Sequence, residues 1–146
     1  MIQTEYYMFT KENPCERIKD YAKKLSLAKK WKIAPHIRRA EALVRKSQKF
    51  RDIICDEENQ YNHIVGLMFS AYFGEKIDKY KYTAVPRDIS FDFLGYIKNH
   101  PISDDDKYMK KVTTLILSHS DQIDAFVKAF LGIRLAQSEL DKLQSN

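Results

Sequence analysis

The sequence predicts an all-α fold, a single compact helical domain of five to six helices, and three observations carry that expectation. Apolar residues recur at three- and four-residue spacing along most of the chain. Only four glycines and four prolines are present, too few for the turns that a β-sandwich needs between its strands. Residues that cap helices stand where the periodic stretches begin. At 146 residues the chain has one domain's length, and a fold of that size buries about 68–70% of its unfolded surface. With 44% apolar residues it needs neither a disulfide nor a metal to hold a core.

Residues 1–12 are expected as an N-terminal arm or short strand. IQTEYYMF (2–9) lacks helical periodicity and is rich in Tyr, Phe and Ile, and residues 79–83, of which the first four alternate Lys and Tyr, are its expected partner. Asn13-Pro14 with Glu16 predicts a helix start, and Ile18, Tyr21, Ala22, Leu25 and Ala28 extend the first helix over 14–28. Pro35 then predicts a boundary and opens a second helix whose inner stripe is Ile37, Ala40, Leu43, Val44, Ser47 and Ile54. The acids at 56–58 predict a break, closing a basic helical part over 14–55. Within the remaining helices of 58–146, a third carries Tyr61, Ile64, Val65, Met68, Phe69 and Tyr72 and stops at Gly74. An unbroken 4-3 spacing from 33 to 72 leaves one long helix open as the alternative, with Arg51 and Glu58 on its seam as the objection. Asp88 is the expected cap of a helix over 89–99. Ser103 to Asp106 start another over 104–118, and Ser120 caps a last helix bearing Ile123, Phe126, Val127, Phe130 and Ile133.

Charge is unevenly spread. Residues 1–51 hold 14 Lys and Arg against five acids, +9, whereas residues 52–146 hold 11 against 15, −4. Such polarity attracts nucleic acid, an anionic membrane or an acidic protein, although a solvated basic face without a partner has the same composition. Cys15 and Cys55, 40 apart and in no Cys/His cluster, predict a reduced, cytoplasmic protein. Cys15 in a first helical turn would have a lowered thiol pKa, whereas as a buried filler it would be inert. The start MIQTE has no signal-peptide character, and Ile64–Phe73 is far short of a membrane span, so no membrane association is expected.

Chemistry-bearing motifs are sparse. His36, His63, His100 and His119 have no second ligand at i+3 or i+4 that would build a metal site, no HExxH is present, and the Asp104–Asp106 run lacks the Gly and Glu of a calcium loop, so no metal is expected. Phosphate-cradling glycine loops and nucleophile elbows are absent. Ser118-His119-Ser120 is adjacency without triad geometry. No cofactor and no enzymatic activity are expected.

One feature points to a partner. On a helical wheel Arg38, Arg45 and Lys49 lie within roughly 40° of one another, opposite the apolar stripe, with Arg39 and Lys46 at their flank. Lys19, Lys23 and Lys30 form a similar stripe on the first helix. Trp31, inside Lys29-Lys30-Trp31-Lys32, suits base stacking if exposed, and core packing if folded back. Residues 17–50 resemble a helix-turn-helix, with YAKKLSL (21–27) as first helix and turn and the helix after Pro35 as reader. They depart from it in lacking a turn glycine and in the length of 28–34. The expected function is non-enzymatic nucleic-acid binding, RNA or a single strand ahead of duplex, alone or as a small subunit of a nucleoprotein complex. The alternative is a protein-interaction module such as an inhibitor, immunity or assembly factor that docks an acidic partner.

Overall fold

The computed structural model describes residues 4–76 and 92–145, and in these a 3₁₀ helix and seven α-helices form and no strand does. After the 3₁₀ helix (Thr4–Phe9) come α1 (Glu16–Ala22), α2 (Leu27–Lys46), α3 (Gln48–Ile54), α4 (Tyr61–Lys76), α5 (Phe93–Asn99), α6 (Asp106–Ser118) and α7 (Ser120–Gln144). Of the described residues 79% are helical and they form one compact domain, against about 30–35% helix in an average one, so the all-α class holds with one or two more helices than expected.

The long α7 is the axis. It is buried from Ile123 to Leu140 on most of its faces, and α2 lies along it in the most extensive contact between any two elements. The 3₁₀ helix, α1, α3 and α6 pack on α7 as well. At the centre Phe69 of α4 and Phe126 of α7 meet edge to face with ring centroids 4.9 Å apart. Phe50 and Phe9 close on Phe126 at 5.3 and 5.5 Å, and Phe93 and Phe130 on Phe69 at 5.4 and 5.8 Å. Such pairs each contribute about 0.5–1.5 kcal/mol beyond the area they bury. Val44, Ile64, Met68, Leu115, Phe126 and Phe130 are buried as their periodicity predicts, and Leu43 is half-buried.

The N-terminal segment is helical rather than extended. Its carbonyls find a donor in a side chain instead of a neighbouring strand: the Arg51 guanidinium donates from Nη2 to the oxygens of Tyr7 (3.1 Å), Thr10 (2.8 Å) and Glu12. Met8 is fully buried and Phe9 packs into the aromatic centre, so no sheet is needed to remove these residues from water. The expected partner, residues 79–83, lies outside the described residues.

Three helix boundaries also differ from expectation. The first helix ends at Ala22, where the N–H groups of Lys24 and Leu25 bond the carbonyls of Tyr21 and Ala22 three residues back. Ser26, extended at φ −62° and ψ 160°, then opens α2 eight residues before the expected start after Pro35. Pro35 thus lies inside α2. It is exposed, and it offers the Trp31 carbonyl no N–H. The unbroken helix from 33 to 72 does not form. Ser47, fully buried, donates its hydroxyl to the Val44 carbonyl (2.8 Å) and interrupts the helix between α2 and α3. Asp56, accepting the Glu58 N–H (3.0 Å), and Gln60, at φ 55°, turn the chain before α4. The acids at 56–58 mark that break as expected.

Helix α4 runs two residues past Gly74. The expected cap Asp88 lies outside the described residues, and Asp92 caps α5 by accepting the Gly95 N–H (2.9 Å). Asp105 caps α6 through the Lys107 N–H (3.0 Å), and His119 rather than Ser120 holds the cap position of α7.

Candidate nucleic-acid interface

The buried face of α2 carries Ile33, Ala40 and Val44 against α7. At about 100° per residue, Leu27, Trp31, Arg38 and Arg45 fall within roughly 40° of one another on the opposite side. All four are exposed, Trp31 at 73% and Leu27 at 69% of their full surface. Because α2 begins at Leu27, the indole belongs to the same helix as the arginines and points away from the core. The folded-back Trp31 is therefore excluded. One face some 27 Å long carries an aliphatic and an aromatic residue at its start and two guanidinium groups two turns apart beyond them.

The remaining candidates divide. Arg39 and Lys46 are exposed on α2 beside this face, and Arg39 is not free of interactions. Lys49 is exposed but stands on α3, beyond the interruption at Ser47, so the ridge of Arg38, Arg45 and Lys49 spans two helices. Lys19, Lys23 and Lys30 do not form one helical stripe, since α1 ends at Ala22 and Lys30 belongs to α2. Lys19 ties α1 to α2 through Glu41 (2.9 Å), a bond that holds its ammonium above the ordinary value. Lys23 pairs with Asp20 at 3.7 Å, both exposed. Arg45 touches Glu41 only at 4.0 Å, and most of its side chain remains in water. Lys29 donates to the Leu143 carbonyl (2.8 Å) in the last turn of α7, where the helix dipole favours a cation.

Two residues escaped the sequence reasoning. Leu27 was out of view because the helix containing it was expected to end at Ala28. Arg51 had a signal, a charge on an apolar seam, and the structure gives it a structural purpose at 4% exposure. Cys15 and Cys55 flank it, both buried and neither in a disulfide. Burial pushes the Cys15 thiol up to about 11 and raises Cys55 as well, so the lowered pKa considered for a thiol in a first helical turn does not arise. Among the described residues no group of His, Cys, Asp and Glu could hold a metal ion, and no helix is long and apolar enough to cross a membrane. No protein-family model, curated protein or solved structure matches the chain.

Proposed function

We propose that the outer face of α2 binds single-stranded nucleic acid, RNA or unpaired DNA, without catalysing a reaction on it. The observation that carries this is the exposed Trp31 in line with Arg38 and Arg45. An indole held in water forgoes about 1.5–3 kcal/mol of burial, and base stacking recovers energy of that order. Unpaired bases offer the ring faces that stacking requires, whereas a duplex hides them. The guanidinium groups then grip phosphates bidentately along the helix.

Leu27, exposed one turn before Trp31, favours a second occupant, an acidic protein, because Trp and Arg also anchor protein interfaces. Labelled oligouridylate, oligothymidylate and a duplex, titrated at one salt concentration and followed by anisotropy, separate these. Single strands should bind more tightly than duplex, and Trp31→Leu should weaken them by about 5- to 100-fold, the equivalent of one lost base stack. Equal or tighter duplex binding, or an unaffected Trp31→Leu, overturns the stacking role. No binding to any strand leaves the acidic protein.

A further inference from the structure

A second basic cluster stands on α6, in the part of the chain whose net charge is negative. Lys107, Lys110, Lys111, Thr114 and Ser118 succeed one another at three-, one-, three- and four-residue steps, so they leave the helix on one side over about 16 Å. All five are exposed, while Val112, Leu115 and Ile116 of the same helix are buried. Beside the stripe lies an open cleft of about 610 Å³, completed by Ile53 of α3, Tyr61 at the start of α4, Leu115 and His119.

The cleft's charge is one-sided. Among the described residues no carboxylate lines it, and none of its three lysines makes an ion pair with a described residue. Like charges at i+3 and i+4 repel, and Lys107 stands in the first turn of α6, where the helix dipole disfavours a cation. Asp105 already caps the Lys107 N–H, so the side chains of the stripe, and not the N-terminal amides, are what an incoming anion would meet. His119 adds a polar ring with a fixed orientation: its Nδ1 lies 2.9 Å from the Leu115 carbonyl and donates to it. Beneath this polar rim Ile53 and Leu115 form an apolar floor, which a bare ion would leave uncovered.

We propose that this cleft binds a small phosphorylated ligand with a flat body, a mononucleotide in its simplest form. The lysines, with the hydroxyls of Thr114 and Ser118, take the phosphate, and the body lies over Ile53, Tyr61 and Leu115. Its volume falls within the roughly 300–1,000 Å³ of small-molecule sites.

Adenosine 5′-monophosphate, adenosine and inorganic phosphate, each titrated into the intact chain by calorimetry, test the proposal. The nucleotide should saturate one site, with adenosine and inorganic phosphate each weaker by about tenfold or more, since each lacks one half of the recognition. Lys110→Gln with Lys111→Gln, both exposed and so compatible with folding, should weaken the nucleotide by about tenfold. Arg38→Glu with Arg45→Glu should leave it unchanged, which separates this site from the α2 face. Absence of saturable nucleotide binding, equal binding of adenosine or of phosphate, or an unaffected lysine variant overturns the proposal.

Discussion

Arg51 shows what one misplaced-looking residue does for the fold. A guanidinium at 4% exposure with no carboxylate partner among the described residues would be costly, yet its Nη2 serves three main-chain oxygens and Gln48 accepts from Nη1 at 3.4 Å, which leaves Nε as its one buried N–H without a partner among them. Burial lowers its pKa from the ordinary value, though a guanidinium remains charged at any physiological pH. Arg51→Met should strand the Glu12 carbonyl and take one donor each from Tyr7, which keeps the Thr10 N–H and hydroxyl, and from Thr10, which keeps the Cys55 thiol, and it should cost about 1–3 kcal/mol in denaturant unfolding. A loss under about 1 kcal/mol would mean that water replaces the guanidinium at little cost. Arg51→Lys should rescue only part of the loss, because one ammonium lacks the planar fork. The neighbouring thiols give a pH dependence with a definite sign. Their folded pKa values are raised, so their contribution is fully present below the unfolded value of 9.0 and is lost as pH rises toward about 11, where Cys15 titrates when folded. Lys19, also raised, adds to the loss above 10.5. Stability measured from pH 8 upward should therefore decline across this window, less steeply in Cys15→Ala, and native protein at neutral pH should not react with a thiol reagent. An unchanged slope in Cys15→Ala would show that its proton is not linked to folding.

Helix α2 is where local rules and tertiary packing part company. An interior proline costs a helix about 3 kcal/mol, and a residue before proline is biased away from helix, which is why 28–34 reads as a connection in the sequence. Packing of Ile33, Ala40 and Val44 along α7 outweighs that bias, since propensity is weak beside the burial of a whole face. Pro35→Ala restores an N–H for the Trp31 carbonyl, and against it stands the smaller loss of stiffness in the unfolded chain. The variant should gain about 1–2 kcal/mol in denaturant unfolding. A loss instead would show that the proline sets a helix geometry on which the packing depends. Elsewhere the elements were legible for identifiable reasons. α4, α6 and α7 have sustained apolar periodicity and were placed to within a few residues at their described ends. The 3₁₀ helix was not legible, because the side chains that donate to its Tyr7, Met8 and Phe9 carbonyls are those of Arg51, Cys55 and Asn62, 44 to 53 residues later. Nor was the break at Ser47, where a buried hydroxyl competes with the backbone at a position that periodicity alone assigns to a helix interior.

At the scale of the molecule, α7 takes the apolar faces of its neighbours, and α2, lying along it, turns its charged side outward. The excess of +9 in residues 1–51 is thereby partly converted into a surface feature. Arg38 and Arg45 were legible as a pair because their seven-residue spacing survives the shift in helix start. The place of Trp31 beside them was not, because it depends on the helix continuing through Pro35. Lys19, by contrast, is engaged across to α2 by Glu41. The ridge can be tested separately from the indole. Arg38, Arg45 and Lys49 are exposed, so replacing all three by Glu should change stability by no more than about 0.5 kcal/mol each. Glu41, which lies 4.0 Å from Arg45, keeps its closer partner Lys19. Binding should respond far more strongly. Each phosphate neutralised on a single strand contributes about 0.7 to the log–log slope of affinity against salt, so losing three contacts should flatten it by about 2 units. The loss should be uniform across base sequences, because phosphate contacts position a protein without reading bases. Trp31→Leu should do the reverse, lowering affinity while leaving the salt slope in place, since stacking releases no counterions. A triple variant with the wild-type slope would show that the strand runs elsewhere and that the ridge is only a solvated face.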